Sequence, residues 1–271
     1  MTTTTATLDG IPLATAVPDA LILRVRRSLT GRVRTDTIDV PRRAGSWRFP
    51  ESPGDARVTI ELDITADTFT ERRAACRALA EWIAPALDGE VQLILDDEPD
   101  RFYTVMLDSA ADPDEWLVAA SVTLDFTADP YTYSTTISTE TVNASGTPDS
   151  GTFNLAIDYP AEPVIEITPT NGTLSSFVLT VNGETIEWTG DTLASGETIT
   201  ISSISDTVSV GENVDVNLTG AFDPVDAEQG IAGVSATGFP ELVPGINEWA
   251  ISWTGTATTV DVVFTYRARS L

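Results

Sequence analysis

The sequence predicts a mainly β protein with one helix, arranged as two domains, on three observations. Apolar and polar residues alternate with a period of two along several short runs. A single stretch carries a helical stripe behind a capping sequence. A polar, turn-rich segment separates the two halves. The boundaries expected from these signals are a first domain at residues 1–137, a linker at 138–152 and a β-sandwich at 153–271.

In order along the chain, residues 20–25 form an apolar strand. Residues 57–64 alternate strictly, with Val58, Ile60, Leu62 and Ile64 on one side and polar residues on the other. The helix is expected over 69–83. Thr68 is its N-cap and Glu71 completes a capping box, while Ala75, Leu79, Trp82 and Ile83 make the stripe; Pro85 and Gly89 mark its end. Residues 91–96 and 102–107 read as a hairpin, turned at Asp97-Glu98-Pro99-Asp100-Arg101. A further strand is expected over 116–126, ending at 127–131. From 134 to 152 Thr, Ser, Gly, Asn and Pro replace the apolar residues, the composition of a linker.

Beyond it every signal is a strand. Residues 176–181 and 184–188 flank Asn182-Gly183, the signature of a type I′ hairpin. Residues 197–202 alternate, 208–218 hold two short strands around Gly211, and Trp249, Ile251 and Trp253 share one strand face. Val260, Val262, Phe264 and Tyr266 do the same on the last strand. Short strands at this spacing indicate a sandwich.

Composition bounds the function. With 42% hydrophobic residues the chain folds rather than staying disordered. No apolar run approaches the roughly 20 residues of a membrane span, and the start Met1-Thr-Thr-Thr-Thr-Ala lacks the basic and apolar parts of a signal peptide. A soluble protein made in the cytoplasm, with no membrane partner, is therefore expected. The 41 acids face 15 Arg and no Lys, a net charge of −26. Residues 1–137 hold 23 acids and 13 Arg, a net of −10; residues 138–271 hold 18 acids and 2 Arg, a net of −16. Such a field repels nucleic acid and anionic membranes. It serves solubility, and together with the absence of Lys it points to a halophilic setting, where salt screens carboxylates over about 3 Å at 1 M.

The single cysteine, Cys76, excludes an intrachain disulfide and a Cys-rich metal site, and reads as a small helix residue. The absence of histidine removes Ser-His-Asp and Cys-His catalysis and His-based metal sites. The cluster Asp96-Asp97-Glu98-Pro99-Asp100 lacks calcium-loop spacing and sits where a hairpin turns; a bound cation is the alternative reading. Carboxylates on strand faces opposite apolar ones argue against a glycosidase pair. Trp188, Trp249 and Trp253 read as core, with a sugar-stacking groove as the alternative. The sequons at Asn143, Asn171 and Asn217 are short matches in a Thr-rich chain. Arg42, Arg43, Arg48 and Arg57 suit pairing with a neighbouring subunit's carboxylates. No enzyme is expected: no catalytic, cofactor-binding or metal-binding residue is assigned, and no cofactor.

The succession of motifs resembles the siphovirus distal tail protein family over nearly the whole chain. The pieces are Val40-Pro41-Arg42-Arg43-Ala44-Gly45-Ser46, strand 57–64, and the helix with Glu71-Arg72-Arg73 and Leu79-Ala80-Glu81-Trp82. They continue with the hairpin holding Asp96-Asp97-Glu98-Pro99-Asp100-Arg101, then Asp129-Pro130-Tyr131-Thr132-Tyr133, then Phe239-Pro240-Glu241-Leu242-Val243-Pro244-Gly245-Ile246-Asn247. The resemblance implies a tail-tube-like β-barrel or sandwich at 1–137 that closes into a hexameric ring, and a galectin-like β-sandwich behind it. It also implies a virion protein at the tail tip. Its partners would be further copies of itself, the tail tube protein, the tail tip or baseplate hub and the tape measure protein, with genome DNA passing through the lumen without specific binding. Two alternatives stay open: a carbohydrate-binding adhesion module of the tail, used in host attachment, and the tail tube protein itself.

Overall fold

The computed structural model describes residues 5–29, 31, 33–39, 46–108, 113–116, 119–189, 192–204, 207–210, 213–217 and 234–271. Of residues 33–39, 46–52, 115, 207–210, 213–217, 234 and 235 it describes the backbone alone. The protein is mainly β, and the chain divides into two compact units that meet in sequence between Thr135 and Thr136.

The first unit runs β1 (Ala6–Leu8), β2 (Ile11–Pro12), α1 (Leu13–Ala16), β3 (Ala20–Arg27), β4 (Val33–Asp39), β5 (Ser46–Pro53) and β6 (Ala56–Thr65). It continues with α2 (Phe69–Ile83), α3 (Pro85–Asp88), β7 (Val91–Leu95), β8 (Arg101–Leu107), β9 (Asp114–Glu115) and β10 (Ala119–Ser134). Its main sheet has the order β2-β1-β7-β8-β10-β6-β3, with β9 pairing beside β10. The alternation of β6 sends Val58, Ile60, Leu62 and Ile64 into the core, each at 1% exposure or less. Directly across in antiparallel register, Phe126, Leu124, Val122 and Ala120 of β10 face the same way.

The helix occupies the expected residues. The Thr68 hydroxyl accepts from the Glu71 amide at 3.2 Å and the Glu71 carboxylate accepts from the Thr68 amide at 3.0 Å, the reciprocal capping box. Ala75, Leu79, Trp82 and Ile83 bury its stripe in the same core as β6 and β10, and the Trp82 indole donates to the Ile11 carbonyl at 2.8 Å. Fifteen residues are marginal for an isolated helix, so this packing holds it. Two four-residue helices, α1 and α3, accompany it, where one helix was expected.

Two expectations in this half need correction. Strand β10 does not stop at 127–131; it runs to Ser134, with a register shift against β8 between Ala128 and Thr132. The shift takes up Pro130, which cannot donate to a regular ladder and is tolerated at a bulge. Strands β4 and β5 were not foreseen. They pair with each other and with no other strand among the described residues. Pro50 and Pro53 disguise the pair, because proline inside a run argues against a strand.

The second unit contains β11 (Ser138–Ala144), β12 (Asp149–Leu155), β13 (Val164–Pro169), β14 (Leu174–Val181), β15 (Glu184–Trp188) and β16 (Ile199–Ser202). Then come β17 (Thr207–Val210), β18 (Asn213–Asn217), β19 (Val234–Ala236), β20 (Gly245–Gly255) and β21 (Val260–Tyr266). Gly211 and Leu218, expected within the paired short strands, lie outside the described residues. Two sheets, β11-β21-β13-β16-β17-β18 and β12-β20-β14-β15-β19, share one core. Phe153 of one sheet meets Phe264 of the other at 5.1 Å between ring centroids. The turn at Asn182-Gly183 has φ of 50° and 94°, the positive pair that a type I′ turn requires.

The stretch expected as a linker, 138–152, is built into β11 and the start of β12. Its composition misled because both strands lie at sheet edges. Most of their residues are exposed or half-buried, and only Ala144, Phe153 and Leu155 are buried. Thr and Ser satisfy such positions as well as a linker does.

Candidate assembly surface

The outer face of β3, β6 and β10 is charged. Alternation that buries Leu62 and Ile60 turns Glu61 and Thr59 outward, opposite Thr123 and Asp125 of β10. Here lies a concavity of about 560 Å³ lined by Arg26, Arg57, Thr59, Glu61, Thr123 and Asp125 among others. Its cations are already paired: Arg26 with Glu61, and Arg57 with Asp108 at 3.0 Å and with Asp125 at 3.9 Å.

At the end of β3, Arg27 places one guanidinium nitrogen 2.5 Å from both oxygens of Asp97 and another 3.3 Å from Glu98. Asp97 and Glu98 lie in the β7–β8 turn, past the Arg101–Ser134 end of the β8–β10 ladder, whereas Arg27 sits three strands away, paired with Val58 level with Phe126. The contact therefore requires a strongly rolled sheet, and Arg27 closes part of the gap. Tyr103 lies beneath, 6.0 Å from the guanidinium, and donates to Glu98 at 3.1 Å. Burial, opposed by Arg27 and reinforced by Glu98, pushes the Tyr103 phenol up to about 12. Burial disfavours the charged Arg27, but the hydrogen bond to Asp97 and the charges of Asp97 and Glu98 outweigh it and raise its pKa.

The acidic cluster that invited a metal reading is thus a turn whose carboxylates bind protein. Asp96 accepts from the Thr5 amide at 3.2 Å, and Asp97 and Glu98 hold Arg27. Arg57, expected to face a neighbouring subunit, pairs within its own chain. Arg42 and Arg43 lie outside the described residues, as does the Arg48 side chain. Cys76 is half-buried on α2 against the core.

In the second unit Trp188 and Trp253 are core residues at 1% and 5% exposure. Trp249 is partly buried, its ring pressed on Gly151, where a Cβ would come within 3.0 Å. A shallow groove of about 450 Å³ passes Ser150, Thr152, Thr180, Asn182 and Glu248 beside it. The buried Asn247 is fully used: it accepts from the Val243 amide and Asn182, and donates to the Val243 and Gly245 carbonyls. Asn171 accepts from Thr258 and Thr259, and Asn143 donates to Asp261, so both sequon residues serve the fold. The Asn217 side chain is outside the described residues.

Sequence reasoning missed two features. One is Arg27, whose only signal is its place in Arg24-Val25-Arg26-Arg27 at the end of a strand. The other is a backbone crossing at the foot of the β4–β5 hairpin. Gly31 and Gly54 are both buried, and a Cβ on Gly31 would lie 1.9 Å from the Gly54 carbonyl oxygen and 3.0 Å from Pro130.

Among the described residues no helix is long and apolar enough to cross a membrane. No curated protein matches the chain in sequence. Among solved structures, the fold is similar to that of the SPP1 Dit protein, described as a paradigm of the hub adsorption apparatus in Gram-positive infecting phages. That likeness has a TM-score of 0.71 at 17% identity and covers 99% of each chain. A chain of the phage p2 baseplate in its activated conformation is also similar, at a TM-score of 0.46, 11% identity and 98% coverage of each chain. A family model for the phage tail protein RIFT-related domain matches residues 22–153, from β3 through most of β12. That stretch, over which the chain is similar to the phage tail protein RIFT-related domain, includes the charged face, the Arg27 contact and the hairpin foot.

Proposed function

We propose that this chain is a structural virion protein that forms a hexameric ring at the distal end of a long viral tail and joins the tail tube to the tail tip or baseplate hub. The observation that carries the reading is the fold similarity to the SPP1 Dit protein across 99% of the chain. The match of residues 22–153 to a phage tail domain model supports it independently of that likeness. Residues 1–137 would form the ring, with the tail tube, hub and tape measure proteins as neighbours. The net charge of −26 suits a conduit for DNA, because a cation-poor wall offers few sites for phosphate to displace counterions.

Sedimentation analysis of the purified chain tests the reading. The expected particle is a sixfold multiple of the 28.9 kDa chain mass. A monomer at every concentration and salt level would overturn it.

A further inference from the structure

We propose that Asn182-Gly183 is a latent modification site: the folded sandwich holds this bond back from deamidation, and a turn that opens and deamidates cannot close again. Every contact involved lies within the second unit, so nothing here depends on ring formation. An asparagine followed by glycine is the sequence most open to this reaction. The glycine amide nitrogen attacks the asparagine Cγ and closes a succinimide ring; the Cγ–Nδ2 bond breaks and ammonia leaves with the amide proton. Water then opens the ring at either carbonyl, giving aspartate or isoaspartate. Glycine favours the attack because no Cβ crowds its nitrogen. The chain holds two such pairs, Asn171-Gly172 and Asn182-Gly183. Both positions call for glycine: φ is 71° at Gly172 and 94° at Gly183, and a Cβ on Gly172 would lie 2.6 Å from the Thr256 carbonyl oxygen.

The Asn182 side chain is committed at both of its polar atoms. Its Nδ2 donates to the Glu241 carbonyl and to the Asn247 Oδ1, each at 2.8 Å. Its Oδ1 accepts from the Glu248 amide at 3.0 Å, and its own backbone amide donates to the Glu248 carbonyl at 3.0 Å. Ring closure requires the side-chain amide to swing back onto the Gly183 nitrogen, which breaks all three side-chain bonds. These bonds tie the β14–β15 turn to the start of β20 and the residues before it. Deamidation must therefore wait for local opening of the turn.

The product does not fit back. Asn247 is buried, and its orientation is fixed: its Oδ1 accepts from the Val243 amide at 2.8 Å while its Nδ2 donates to the Val243 carbonyl at 2.9 Å. A carboxylate in place of the Asn182 amide donates nothing, and it would face two acceptors, the Asn247 Oδ1 and the Glu241 carbonyl. Isoaspartate would add a backbone methylene to a turn whose φ values are 50° and 94°. Asn171 differs. Its Oδ1 accepts from the Thr258 amide, the Thr258 hydroxyl and the Thr259 amide at 2.9, 3.0 and 3.3 Å, and a carboxylate can accept the same three bonds. One-way release thus belongs to the Asn182 corner.

The test incubates the full chain at mildly alkaline pH, folded and in urea, and follows residue 182 by peptide mass spectrometry with an isoaspartate assay. Conversion should be slower by about tenfold or more in the folded chain. Equal rates would overturn the inference. Melting curves of three variants supply the second arm. Asn182→Asp, Asn171→Asp and Asn154→Asp each add one negative charge, so self-repulsion is matched, and Asn154 is exposed on β12. Asn182→Asp should lower the melting temperature by roughly 3 °C or more, while the other two leave it nearly unchanged. Equal melting temperatures for all three would overturn the claim that the opened corner cannot close. If Asn182→Asp fails to fold, the corner needs its amide, and the rate comparison still decides whether the fold holds the reaction back.

Discussion

Arg27 stands where β3 ends and the chain departs for the β4–β5 hairpin, and its side chain couples that departure to the β7–β8 turn. The coupling reaches Tyr103, whose hydroxyl is held by Glu98 in the same cluster. Because the folded state keeps the phenol protonated up to about 12 while the unfolded chain releases it near 10.0, this group costs nothing below pH 10. Stability is then lost as pH rises from 10 toward 12. Tyr103→Phe has no proton to lose, so its melting temperature should fall less than the parent's across that window. Parallel melting curves for the two would show that Tyr103 does not carry the effect. None of this was visible from a single sequence position. Arg27 and Asp97 are far apart in sequence, and only the rolled sheet brings them together. Asn247, by contrast, stood in a quoted motif, but nothing in the motif indicated that its amide would be buried and saturated with hydrogen bonds.

Elements with local signals were legible. The α2 helix was, since Thr68 and Glu71 name its start and the stripe ending at Ile83 names its buried face. The β14–β15 hairpin was also legible, since Asn182-Gly183 accepts the positive φ of its turn. Elements defined by their neighbours were not. Edge strands β11 and β12 were read as a linker because few of their residues face a core. Strand β10 was cut short at Pro130, because sequence shows the proline but not the bulge that accommodates it. The β4–β5 pair was missed for a related reason, because Pro50 and Pro53 within its second strand argue against a strand. The foot at Gly31 and Gly54 was equally silent, since glycine alone does not say which backbone it must approach.

At the scale of the whole molecule the two units have separate cores, one built around β6, β10 and α2 and the other between the two sandwich sheets. Charge is the property they share, and its excess gives a second test. At −26 the folded chain repels itself, so its melting temperature should rise with NaCl as the Debye length shrinks from about 10 Å at 0.1 M to about 3 Å at 1 M. A flat melting temperature over that range would remove the high-salt reading of the composition and leave the tail reading intact. The same repulsion means that any assembly of copies must be held by specific local contacts, which makes the existence of that assembly the central question.

Electron microscopy of the purified full-length chain in negative stain answers it most directly. The account predicts closed rings with sixfold averages and an open centre. A field of single particles of monomer size, unchanged at high protein concentration and in molar salt, would contradict it.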